Sequence, residues 1–164
     1  KLVERTKDYK NVTPFELALS NSFDTLIMYV SNRFDEIWGS SSLLEPKEHL
    51  NEHKEITFNN KIEVGTITLN EFCDTVGVNH IDLLWLDLQG MEPVVLKQSV
   101  DILKNIDYIY TEVSFIENYK DSILYPEYKK FLEDNGFEVV FEDQFWYDAG
   151  NVLFRNKKIG RAHV

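Results

Sequence analysis

The stretch 83-LLWLDLQGMEPVVLKQ-98 places an acid where an apolar run gives way to a turn. Asp87 ends the run, Gln89 and Gly90 begin two residues later, and Glu92 opens a helical pattern. A second acid, Glu112, stands near the end of another apolar run, 107-DYIYTEV-113. Carboxylates in such places can orient a hydroxyl or take its proton if they stand within about 3 Å of it. Structural roles compete at each position. Asp87 can cap the turn, and Glu112 can be a buried acid satisfied by backbone amides. Glu92 can be a helix N-terminal charge favoured by the macrodipole. His49 and His53 have the i, i+4 spacing of a helical metal pair, but no third ligand with zinc spacing accompanies them. No metal is expected.

The elements that position these acids follow from periodicity. Residues 1–8 read as a helix end, 15-FELALS-20 as a buried strand and 25-TLIMYV-30 as a second strand. Residues 31–60, with Gly39, Pro46 and scattered charge, read as one long loop. The strand 62-IEVGTIT-68 leads into a short helix 69–76, with Thr68 and Glu71 at capping-box spacing and Gly77 as its stop. In 81-IDLLWLDL-88 both alternating sets are apolar, the pattern of a central parallel strand covered on both faces. The helix after it places Val95, Leu96, Ser99, Val100 and Leu103 on one face. Beyond the strand 107–113, a helix from Ser122 to Asn135 turns Tyr128, Phe131 and Leu132 inward and stops at Gly136. Two strands close the chain, 137-FEVVFED-143 and 150-GNVLFRN-156.

This order predicts an open α/β sheet, parallel at first, with one member of the final pair antiparallel. Ligands in such sheets bind beyond the carboxyl ends of the parallel strands, where Asp87 and Glu112 fall. Gly90 lets the backbone turn sharply out of the strand. Phe145, Trp146 and Tyr147, before the last strand, form either the wall of a sugar pocket or a core or interface cluster.

The bulk numbers narrow the partners. The chain has 164 residues, 43% of them hydrophobic, which suits one domain over residues 1–157. Its formal net charge of −11 gives no attraction to phosphate backbones or anionic lipid, so neither nucleic acid nor a membrane is expected as a partner. The apolar runs are far shorter than the roughly 20 residues of a membrane span. The lone Cys73 suits a reducing, cytoplasmic setting. Residues 158–164, KIGRAHV, read as a non-native tail, because one reverse translation, AAG ATC GGA AGA GCA CAC GTC, matches a sequencing adapter from Ile159 onward.

The sequence resembles the FkbM-type methyltransferases in 66-TITLNEFC-73, 82-DLLWLDLQGMEPVVLK-97, 108-YIYTEV-113, 128-YKKFLEDNGFE-138 and 151-NVLF-154. It departs from the pattern at Trp85, where many relatives carry lysine. The resemblance implies a class I, Rossmann-like fold that uses S-adenosylmethionine, with sheet order 3-2-1-4-5-7-6 and strand seven antiparallel. On that alignment 15-FELALS-20 is strand three, so strands three to seven are present. Strands one and two are missing, with their glycine-rich turn and ribose-binding acid. Residues 9–60 should then be poorly anchored, and the residues given should be inactive alone. The implied reaction is O-methylation of a hydroxyl on a sugar, a glycan or a small metabolite. The implied catalytic residues are Asp87 and Glu112. Ala18, Leu19, Ser20, Asp87 and Leu88 would bind the cofactor, and Gln89, Gly90 and Glu92 the substrate. The alternative is a non-catalytic α/β binding module with a degenerate cofactor site.

Overall fold

The computed structural model describes residues 2–34, 36–144 and 146–159. Phe145 and residues 160–164 of the expected tail lie outside the described residues. The chain begins with α1 (Leu2–Thr6), β1 (Ala18–Leu19), β2 (Asp24–Arg33), β3 (Glu36–Ile37), α2 (His49–Glu52) and β4 (Ile56–Ile67). It continues through α3 (Leu69–Val76), β5 (Ile81–Leu86), α4 (Glu92–Gln98) and α5 (Val100–Leu103). It closes with β6 (Ile106–Ser114), α6 (Tyr125–Asp134), β7 (Phe137–Asp143) and β8 (Ala149–Asn156).

The architecture is mixed α/β, with two four-stranded sheets in place of the single sheet expected. One has the order β5-β6-β8-β7. Here β5 and β6 run parallel, and β8 lies antiparallel to both β6 and β7. The other has the order β1-β4-β2-β3 and is mostly antiparallel, with β2 and β4 paired from Asp24↔Thr66 to Arg33↔Ile56.

Residues 31–60 are therefore not one long loop. They hold the end of β2, then β3, α2 and the start of β4. The cause is burial: β4 is largely exposed along its first eight residues, so polar Asn59, Asn60 and Lys61 sit in a regular strand. Nor is this segment poorly anchored. Lys47 and His49 donate backbone hydrogen bonds to the Asn118 carbonyl, at 2.9 and 3.2 Å, and Lys120 donates to the Glu45 carbonyl at 2.8 Å. The strand expected at 15–20 shrinks to Ala18–Leu19, parallel to the end of β4.

The core forms between the β5-β6-β8-β7 sheet and its helices, around Leu86, Val95, Leu96, Ile109, Leu132 and Phe154. Capping fixes α3: Thr68 Oγ1 accepts from the Glu71 amide, Glu71 returns the bond, and Gly77 ends the helix at φ 72°. The expected helix after Gly90 is broken at Ser99, whose φ and ψ of −119° and 38° end α4 before α5 begins. The break shifts the helical phase, which leaves Val100 48% exposed while Val95, Leu96, Ser99 and Leu103 stay buried. Strand β5 also differs from expectation. It is not covered on both faces, and Leu83 and Trp85 are 52% and 69% exposed. Among the described residues it is an edge strand. No helix among them is long and apolar enough to cross a membrane.

Leu96 tests this packing, because it has no exposed surface. Leu96→Ala should lower the unfolding free energy by about 2–5 kcal/mol in urea titration. A change indistinguishable from zero would mean that α4 does not seat on the sheet.

Candidate active site

The turn after β5 builds the site. Gln89 and Gly90 both adopt left-handed backbone, with φ of 52° and 94°. At Gly90 a side chain is disfavoured twice over: φ favours glycine, and a Cβ would come to 3.3 Å from Tyr119 Cδ2. Gln89 has no such excuse for its conformation and is held there by contacts. Its carbonyl accepts from Ser42 Oγ at 2.7 Å. Its side-chain amide donates to Asp87 Oδ1 at 2.7 Å and to Glu112 Oε2 at 2.9 Å. Its Oε1 lies 3.0 Å from the Tyr119 hydroxyl, which also reaches the Ser40 carbonyl at 2.9 Å. Gln89, expected at the substrate, thus joins the two expected catalytic acids.

Glu92 lies beneath the turn, 2% exposed. Its Oε1 accepts from the Leu88 amide at 2.6 Å and its Oε2 from the Gly90 amide at 2.9 Å. Gly90, expected at the substrate like Glu92, lines the site through its backbone.

Oxygens of Asp87, Glu92 and Glu112 come within 4.8 Å of one another. Such a trio can share protons or hold a cation, but Glu92 already spends both oxygens on amides. Burial pushes the Glu112 carboxyl up to about 8, and the charges of Glu92, Asp87 and Asp148 add to it. Burial also pushes Glu92 up to about 7, against the pull of its backbone hydrogen bonds. Glu112 is therefore mostly protonated at neutral pH and can donate a hydrogen bond. Tyr119, buried beside the same acids, stays a neutral phenol.

Two clefts meet at Asp87. The larger, about 460 Å³, is lined by Asp87, Gln89, Glu112 and Tyr119, and further along by His53 and Trp146. The smaller, about 270 Å³, is lined by Ala18, Leu19, Asp87, Leu88, Met28 and Met91. The structure thus brings together four of the five residues expected at the cofactor. The fifth, Ser20, is fully buried, with its hydroxyl 3.2 Å from Asn21 Oδ1. Of the aromatic trio, Trp146 lines the larger cleft and Tyr147 is exposed. The periodicity gave no sign of Ser42, Asn118, Tyr119 or Asp148, which sit in connections. Asp148 carried one usable signal, as an acid directly before a strand.

The raised carboxyls carry a sign. Glu112 binds a proton in the folded state over a range where the unfolded chain, with its ordinary value of 4.5, has lost it. Stability should therefore fall as pH rises from about 4.5 through about 8. Glu112→Gln keeps an acceptor for Gln89 and should flatten that fall. Urea midpoints at about pH 5, 7 and 9 measure it, and parallel curves for the two proteins would refute the shift.

The chain matches the methyltransferase FkbM domain over residues 2–139. It is 32% identical over 148 residues to 2-O-methyltransferase NoeI of Sinorhizobium fredii (strain NBRC 101917 / NGR234). That alignment covers 88% of this chain but 60% of the relative's length. No solved structure matches the chain. With most of its length inside the family's domain, the chain belongs to the FkbM methyltransferase family.

Proposed function

We propose that this chain forms part of an S-adenosylmethionine-dependent O-methyltransferase acting on a hydroxyl of a sugar, a glycan or a small metabolite. The observation that carries this reading is the placement of Asp87 on both clefts. A donor in one cleft and an acceptor in the other would meet at its carboxylate. In this reading the sheet order β5-β6-β8-β7 corresponds to strands 4-5-7-6 of a class I fold, with β8 as the antiparallel strand seven.

The smaller cleft suits the donor. Leu19, Met28, Leu88 and Met91 offer apolar walls to a planar base, and Asp87 offers negative charge to a sulfonium. If bound there, S-adenosylmethionine would supply a methyl group to the acceptor oxygen and leave as its neutral thioether, and the Asp87 carboxylate would take the proton that the oxygen gives up. The protein's part is placement, which in well-oriented pairs supplies about 7–11 kcal/mol of the barrier. Gln89 fixes the Asp87 carboxylate. Glu112, protonated at neutral pH, can donate to an acceptor oxygen or ring oxygen from its free side. The name of the NoeI relative, a 2-O-methyltransferase, supports oxygen as the atom methylated.

Asp87→Asn in the full-length protein should lower kcat/KM for methyl transfer about a hundredfold, the scale expected when reacting groups lose alignment. Its melting temperature should barely move, because the side chain is exposed at the turn. Wild-type turnover in this variant would remove Asp87 from the mechanism. Turnover by no variant and by no wild-type preparation, on any hydroxyl acceptor, would favour a binding module.

A further inference from the structure

The larger cleft has a second polar end that the reading above does not use. His53 Nε2 lies 3.2 Å from Asp148 Oδ2. Asp148 is 2% exposed, and the same oxygen accepts from Asn118 Nδ2 at 2.9 Å. The His53 ring is 30% exposed and lines the cleft. A neutral histidine that donates Nε2–H to a carboxylate keeps Nδ1 as an acceptor, the tautomer that suits a hydroxyl proton.

Strand register separates this end from the first. Glu112 pairs with Asn151. Asp148 lies three residues before Asn151, about 10 Å along an extended chain. Between the two ends runs a row of rings. The Tyr119 hydroxyl meets Gln89, the Tyr119 ring is 5.5 Å from His49, and His49 is 4.7 Å from His53. Burial lowers His49 to about 4, so the ring at the middle of this row is uncharged at neutral pH.

Indole rings flank the space. Trp38 is 44% exposed and is backed by the Arg33 guanidinium at 4.9 Å, and Trp146 is 66% exposed. Exposed indoles over a row of hydroxyl partners suit the apolar face and polar rim of a sugar ring. Beside the protonated Glu112, three acids, Glu55, Asp87 and Asp148, share the lining with one guanidinium, and Arg33 lies 4.0 Å from Glu55. That balance disfavours anionic acceptors.

We propose that His53, oriented by Asp148 and Asn118, is a second hydroxyl-binding subsite, and that the acceptor is a neutral pyranoside held at both ends of the cleft. The proposal rests on the methyltransferase reading. It makes His53 a specificity residue that grips a hydroxyl other than the one methylated.

The test uses the full-length protein and a panel of p-nitrophenyl pyranosides. Saturation-transfer NMR without the donor reads binding, and transfer of labelled methyl from S-adenosylmethionine reads turnover. For a glycoside that binds, analogues lacking one hydroxyl at a time are compared. One such analogue, still carrying the methylated hydroxyl, should lose about tenfold to a hundredfold in kcat/KM, mostly through KM. His53→Ala should weaken the parent glycoside similarly and erase the difference between parent and analogue, and His53→Gln should restore part of it. An equal fall in kcat for every glycoside, or intact discrimination in His53→Ala, overturns the subsite while leaving methyl transfer in place. If wild type binds and methylates no pyranoside but does methylate another hydroxyl compound, the subsite fails and the O-methyltransferase reading survives. If it methylates nothing, both fail.

Discussion

A single buried carboxylate organises the centre of the molecule. Glu92 receives the amides of Leu88 and Gly90, which a tight turn would otherwise leave without partners. With those amides satisfied, the backbone can hold two left-handed residues in succession. That geometry aims the Gln89 side chain back over the strand ends, where it meets Asp87, Glu112 and Tyr119. The turn that holds Gln89 against both acids thus rests on a residue beneath the site. Glu92, expected at the substrate, has both carboxylate oxygens engaged by the turn instead.

The same turn divides the space above the sheet. Asp87 stands on the partition, with mostly apolar walls on the side of β1 and acids and indoles on the side of β8. The segment from Ser40 to His53 closes the second side, docking through Tyr119, Asn118 and Asp148 onto the connections after β6 and before β8. The larger cleft is therefore assembled from parts of the chain far apart in sequence, which gives it shape without needing a long mobile loop.

Much of this was legible in the sequence, for identifiable reasons. Strong local chemistry marked α3, through Thr68, Glu71 and Gly77, and the carboxyl ends of β5 and β6, through their apolar runs. Asp87 and Glu112 were singled out, and do line one cleft, because acids at strand ends stand out against apolar neighbours. The first sheet was obscured because β4 is exposed for most of its length, so its polar residues hide the strand period. The break at Ser99 left no local mark, since serine is tolerated within helices and the apolar spacing continues across it. Likewise, the bond of Gln89 to both acids depends on a backbone conformation that no spacing rule predicts.

The acidity of the chain has a consequence that begins at β5. That strand leaves one flank unpaired among the described residues, and Leu83 and Trp85 lie open beside Tyr108, Tyr110 and Leu153. An open edge bordered by apolar surface is a template on which further strands can grow. Mutual repulsion opposes that growth: the formal charge is −11 and the isoelectric point about 4.8. Near the isoelectric point, or in concentrated salt, the repulsion fades while the edge keeps its hydrogen-bonding groups. Net charge thus acts as a colloidal guard on an open sheet edge, and it sets the range of pH and ionic strength over which the chain remains dispersed.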